Sequence, residues 1–212
     1  ASATVAAPAE HASALIGMPC TAVVDDGSPR AGLTLAFWEP PTIEGARRSA
    51  TTEAAELLSE LVARQVQTVA FARSRAGVEA LATSARRRLE ELDPTAVERV
   101  AAYRGGYLPA ERRTLEADLR SGRILGLAAT NALELGVDVR GLDAVIVAGW
   151  PGRRASLWQQ VGRAGRTGTD ALAVFVAADD PLDTYLLGHP QAVLDAPVEA
   201  TVMDPANPVV IG

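Results

Sequence analysis

The sequence predicts an α/β domain built on a mostly parallel central sheet, and three observations carry that prediction. Its candidate strands are continuous apolar runs, as in strands buried on both faces. Those runs alternate along the chain with segments of helical periodicity, the pattern of a sheet covered by helices on both sides. The apolar residues are mainly aliphatic: aromatics make up 4% of the 212 residues, so Val, Leu, Ile and Ala must fill the core. A chain of this length buries roughly 70% of its unfolded surface without cross-links. Cys20 is the only cysteine, and His11 and His189 lie far apart, so neither a disulfide nor a Cys/His metal cluster is expected.

The elements follow in order. Residues 1–19 read as a lead-in segment in which "PAEHASALIG" forms one short helix ended by Gly17. "DDGSPR" (25–30) is a turn-rich loop. "LTLAFW" (33–38) is a strand stopped by Pro40 and Pro41. "TTEAAELLSELVARQ" (51–65) is a helix that Thr51 or Thr52 can cap, with Ala55, Leu58, Leu61 and Val62 on its apolar face. "QTVAFA" (67–72) is a buried strand, and Ser74 caps a long helix through Leu92 with Val78, Leu81, Ala82 and Leu89 inward. Asp93-Pro94 breaks that helix. "ERVAAYR" (98–104) is a strand, and Pro109 opens a helix through Leu119 whose outer face carries Arg112, Arg113 and Glu116. "RILGLAAT" (123–130) and "DAVIVAG" (143–149) are strands, and "ASLWQQVGRAG" (155–165) is a helix. "ALAVFVA" (171–177) is the last strand, with a short helix from about Asp180 to Leu187 and a tail rich in Pro and Ala from Pro190.

Composition excludes several functions. No apolar run approaches a membrane span and no signal-peptide pattern opens the chain, so a cytoplasmic protein without membrane contact is expected. The net charge of −6 argues against a protein that coats nucleic acid nonspecifically. All 20 basic residues are arginine. A phosphate loop of the GxxxxGK[ST] kind needs a lysine, so no complete nucleotide site of that type is encoded.

Four constellations carry chemistry. In "VGRAGRTG" (161–168), Arg163 and Arg166 stand three apart among Gly162, Gly165 and Gly168. On a helix such a pair shares a face, and two guanidinium forks grip phosphate oxygens bidentately. Alone, the pair reads equally well as solvated charges at a helix end. In "ATNALELGVD" (129–138), Thr130 and Asn131 cap a helix start whose free N–H groups suit a phosphate, and Asp138 after Gly136 can accept from ribose hydroxyls or an arginine. "YRGG" (103–106) sets Arg104, Gly105 and Gly106 at a strand end, and "ARS" (72–74) does the same for Arg73 and Ser74. In open parallel sheets chemistry collects at the carboxyl ends of strands, where "ARS", "YRGG", "ATNALELGVD" and the loop before the arginine helix fall. Each alone is also ordinary capping or solvated surface; their order is the stronger signal.

In that order the chain resembles the second RecA-like domain of superfamily 2 helicases of the DEAD/H-box type. "FARS" looks like motif IV, "YRGG" like the IVa region, "ATNALELGVD" like motif V and "QQVGRAGR" (159–166) like motif VI. "SAT" (Ser2, Ala3, Thr4) looks like motif III, a coupling element at the end of the first RecA-like domain. "DGSPR", "GLDAVIVAGWPG" and "DPLDTYLLGHP" bring it nearest the MrfA/YprA-type DNA-repair helicases. Motif VI in many relatives starts with His; Gln159 fills that place here.

The resemblance implies a RecA-like three-layer α/β/α fold and three parts. Residues 1–19 end the preceding RecA-like domain, 20–189 form the second one, and 190–212 lead to a C-terminal region outside this chain. It implies an ATP-dependent DNA helicase in the full-length protein, with ATP and Mg²⁺ as cofactors. Arg163 and Arg166 would be arginine fingers, with Gly136, Asp138 and Gln159 also at the nucleotide. Arg73, Ser74, Arg104, Gly105, Gly106, Thr130 and Asn131 would hold single-stranded or partly duplex DNA. The P-loop and DExH carboxylates belong to the first RecA-like domain, so the fragment should hold no nucleotide stably and be inactive alone. Alternatives are an RNA helicase, a duplex translocase, or a free-standing nucleic-acid-binding module.

Overall fold

The structure is a computed structural model, and it describes residues 4–25, 27, 32–103, 108–130, 142–165 and 169–200. Six strands form one sheet in the order β1-β8-β7-β4-β6-β5. They are β1 (Leu33–Trp38), β4 (Thr68–Ala72), β5 (Val100–Tyr103), β6 (Gly126–Ala129), β7 (Ala144–Ala148) and β8 (Ala171–Val176). Every pairing between them is parallel. All residues of β4, β5, β6 and β7 are buried, as unbroken apolar runs require.

Alternate residues face two cores. Ala70, Ala72, Ala102, Ala128, Ile146 and Val174 pack with helices α2 (Ala50–Ala63) and α3 (Arg75–Leu92). Small side chains on this face let the helices approach closely. A Cβ added at Gly126 would lie 2.8 Å from Val62 Cγ2, so this strand position has no room for any side chain. Val69, Phe71, Val145, Val147 and Phe175 face the opposite way, with Leu119, Leu157, Leu186 and Val193. Those last four come from α4 (Pro109–Arg120), α5 (Arg154–Val161), α6 (Pro181–Gly188) and α7 (Gln191–Leu194). The result is three layers, α/β/α. An N-terminal helix, α1 (Pro8–Ile16), has no buried residue and ends at Gly17 with φ 71°.

Several boundaries differ from the sequence reading. Helix α2 is capped by Ser49, whose Oγ accepts the Thr52 N–H at 3.1 Å. Ser49 has the extended backbone (φ −64°, ψ 144°) that a cap needs, whereas Thr51 and Thr52 are already helical. Ser74 caps α3 as expected, accepting the Gly77 N–H at 3.0 Å. A hairpin of β2 (Thr42–Ile43) and β3 (Ala46–Arg47) follows Pro41, turning through Glu44 (φ 51°) and Gly45 (φ 81°). Asp93 ends α3, and a 3₁₀ turn runs over Pro94–Arg99.

The largest difference concerns α5, which ends at Val161 rather than continuing to residue 165. Gly165 has φ 101°, which a helix cannot accommodate. Its N–H donates to Leu142 O at 2.8 Å, and Leu142 N–H donates to Arg163 O at 3.3 Å. Residues 163–165 therefore leave the helix to run alongside Leu142, and Arg163 does not belong to a helical face.

Candidate functional site

The register aligns the carboxyl ends of the strands. Ala72 pairs with Ala148, Ala148 with Val176, and Val176 with Trp38; Phe71 pairs with Ala129 and Ala129 with Tyr103. Arg73 and Ser74 thus follow β4 on the same edge where Thr130 follows β6. Thr130 is 6% exposed, and its N–H donates to Tyr103 O at 3.3 Å. Arg104, Gly105, Gly106, Asn131, Gly136, Asp138 and Arg166 lie outside the described residues, as do Ser2 and Ala3.

Arg73 stands between two cavities. One, about 390 Å³, is lined by Arg73, the Gly149–Gly152 loop, Gln160, Asp180 and Asp183 among others. The other, about 330 Å³, is lined by Arg47, Ser49, Thr51, Arg73, Ser74 and Asp179 among others. The Gly149–Gly152 loop turns on two left-handed glycines, φ 77° at Gly149 and φ 93° at Gly152. Arg73 Nε lies 3.4 Å from where a Cβ of Gly149 would sit, so glycine keeps this approach open.

Asp183 holds the start of that loop. It is fully buried, and its Oδ2 accepts the N–H of Ala178 at 2.7 Å and of Trp150 at 3.1 Å. Burial pushes its carboxyl above the usual range. The two backbone hydrogen bonds and the Arg73 charge oppose that rise, while Asp180 adds to it. Asp180 in turn caps α6, accepting the Asp183 N–H at 2.9 Å. In the sequence Asp183 is merely an acidic residue in a helix's first turn, and no local signal marks its reach to Trp150.

Helix α5 connects this edge to Arg163. It starts after the Gly149–Arg153 loop, at the carboxyl end of β7, and runs back to Gly162. Arg163 and Ala164 then meet Leu142, which precedes the amino end of β7. Arg163 is 8% exposed, so solvated surface charge does not describe it. On the same side of the sheet Tyr103 is 2% exposed, and burial raises its hydroxyl pKa. The Glu116 charge adds to the rise, and the nearby Arg112 and Arg163 guanidinium groups oppose it. Arg112, read from the sequence as an outer-face residue, is exposed, and its charge reaches Tyr103. Gln159 Nε2 donates to Thr4 Oγ1 at 2.7 Å, joining the "SAT" segment to the "QQVGRAGR" segment across 155 residues.

This ordered edge, with a helix leading from it to a buried arginine, has a match among known proteins. The helicase conserved C-terminal domain family covers residues 53–168, more than half of the chain. The chain belongs to this family. It is 41% identical over 99% of its length to the ATP-dependent helicase YprA of Bacillus subtilis, of which it spans 28%. The DUF1998 helicase MrfA, solved bound to DNA and AMPPNP, superposes with a TM-score of 0.92 at 41% identity, over 99% of this chain and 29% of MrfA. Mycobacterium smegmatis Lhr, solved bound to single-stranded DNA and AMP-PNP, gives a TM-score of 0.76 at 27% identity, over 95% of this chain and 27% of Lhr. The six-stranded parallel sheet with flanking helices is the RecA-like fold of helicase C-terminal domains. Among the described residues of this helicase domain no group of three His, Cys, Asp or Glu side chains is arranged to hold a metal ion, and no helix is long and apolar enough to cross a membrane.

Proposed function

We propose that this chain is the second motor domain of an ATP-dependent DNA helicase. It grips one strand along the carboxyl edge of its sheet and presents Arg163 and Arg166 to an ATP held between it and a first motor domain. The observation that best supports this reading is the course of α5, which starts beside the Arg73 edge and leads to Arg163 at the other end of β7. One rigid element then connects the strand grip to the arginine.

The roles divide accordingly. The first domain holds the phosphates and Mg²⁺, because this chain has no lysine for a phosphate loop. As water attacks the γ-phosphorus, charge develops on the transferred phosphoryl oxygens, and the guanidinium groups stabilise it. Gly136, Asp138 and Gln159 belong to the nucleotide side, with Asp138 toward the ribose. Arg73, Ser74, Arg104, Gly105, Gly106, Thr130 and Asn131 hold the strand by its backbone, which carries little sequence information. Closure on ATP moves one domain relative to the other, and Ser2, Ala3 and Thr4 transmit that movement through the Gln159 hydrogen bond. MrfA and Lhr were both solved with DNA, which favours DNA over the RNA-helicase alternative.

Titration of labelled oligonucleotides into the chain tests the grip. Single-stranded DNA is expected to bind weakly, with log affinity falling linearly in log salt, and each cationic contact removed should shallow the slope by about 0.7. Arg73→Ala, Arg104→Ala and Thr130→Val should each weaken binding. Binding unchanged in all three contradicts the assigned edge, and a clear preference for RNA of the same sequence contradicts the DNA assignment.

A further inference from the structure

Helix α5 has eight residues and lacks a cap of its own: Arg153, at its N-cap, makes no side-chain capping bond. An isolated helix this short is unstable in water, and its first N–H groups need partners. The partner comes from 45 residues downstream. Glu199 Oε1 accepts the Arg154 N–H at 2.7 Å, and Glu199 Oε2 accepts the Ala155 N–H at 3.2 Å. Arg154 closes the contact from its side, donating from Nε to Ala192 O at 3.2 Å. Its Nη1 lies 3.8 Å from Glu199 Oε1. Desolvation pushes the Glu199 carboxyl up, but its backbone hydrogen bonds and the Arg154 charge together hold it below the usual range. The carboxylate is therefore the capping form at neutral pH.

The far end of α5 is fixed as well, through Leu142 and Arg163. The helix is thus a strut held at both ends. Asp183 fixes the loop before it at Trp150, and Glu199 fixes its first turn. A carboxylate bridging two successive N–H groups sets both the register and the axis of a helix start. Any shift there is carried along two turns to Gln159 and Arg163.

We propose that Glu199 is a positioning residue for Arg163: by clasping the first turn of α5 it makes the segment that follows α7 part of the arginine site. This rests on the reading of Arg163 as an ATP-directed arginine. The clasp is a property of the fold, whereas its effect on turnover depends on that reading, so two measurements separate them.

Amide hydrogen exchange on the chain reads the clasp directly. Glu199→Ala should raise exchange at Arg154 and Ala155 about 5- to 30-fold, the loss expected for a helix cap, while amides of α3 and β4 keep their protection. Unchanged exchange at Arg154 and Ala155 overturns the clasp. Steady-state ATP hydrolysis in the helicase containing both motor domains reads the positioning. Glu199→Ala should lower kcat several-fold with KM for ATP and DNA affinity unchanged. Combined with Arg163→Ala it should cause no further loss, since residues acting through one another are not additive. An equal additional loss in the Arg163→Ala background, or a rise in KM alone, overturns the positioning role. If Arg163→Ala itself turns over normally, the arginine reading fails while the exchange result still decides the clasp.

Discussion

Arg163→Ala is expected to lower DNA-stimulated ATP turnover about 10³-fold or more in the helicase that contains this domain, the range for losing an arginine that stabilises a transferring phosphoryl group. The reason is electrostatic. In the proposed role the guanidinium acts on charge that exists only as the phosphoryl group transfers, and such an interaction is strongest where water is excluded. Arg163→Lys should recover little, because an ammonium is a point charge without the planar bidentate fork. Arg166→Ala should behave similarly. Nucleotide-free DNA affinity should change little, since the proposed strand grip uses Arg73, Arg104 and Thr130. Arg163 is 8% exposed and contributes charge near Tyr103, so each variant needs its unfolding midpoint measured beside its turnover. A folded Arg163→Ala protein with near-normal turnover contradicts the assignment.

The second large effect concerns stability. Asp183→Ala should destabilise the chain by about 2–4 kcal/mol, because it leaves the half-buried Trp150 and Ala178 N–H groups without their acceptor, at up to about 2 kcal/mol each. Urea unfolding measures this directly. Asp183→Asn keeps one acceptor oxygen and removes the buried charge, so its cost depends on pH. Burial raises the folded pKa of Asp183 above the ordinary aspartate value. Its stabilising contribution is therefore full below about pH 4 and is lost as pH rises through the folded value. The wild type should lose stability relative to Asp183→Asn as pH climbs from about 4 toward neutrality. A constant difference across that range, or an Asp183→Ala cost under about 1 kcal/mol, contradicts this account of the buried carboxylate.

What was legible in the sequence is local. Pro40 and Pro41 mark the end of β1, Ser74 marks the start of α3, and Asp93-Pro94 marks its stop. The unbroken apolar runs correctly imply a parallel sheet with two covered faces. The order of the glycine- and arginine-bearing strand ends led to the helicase family. What was not legible depends on distant partners or on backbone conformation. The β2–β3 hairpin turns at Glu-Gly, with Glu44 at φ 51°, where a hairpin turn usually carries Asn-Gly or Asp-Gly. Helix α5 stops at Val161, ahead of a segment that pairs with Leu142, and Gly165, which the sequence places at the end of the helix, lies beyond it with φ 101°. Asp183 and Glu199 reach N–H groups 33 and 45 residues away, and no period or motif encodes such hydrogen bonds.

On the proposed reading this domain supplies only the arginine half of an ATP site. Phosphate release from ATP with Mg²⁺ and single-stranded DNA, measured on the purified 212-residue chain and on a protein carrying the preceding motor domain as well, tests it most directly. A blank rate is expected for the chain alone and DNA-stimulated turnover for the longer protein. Steady Mg²⁺-dependent hydrolysis by the chain alone would contradict it.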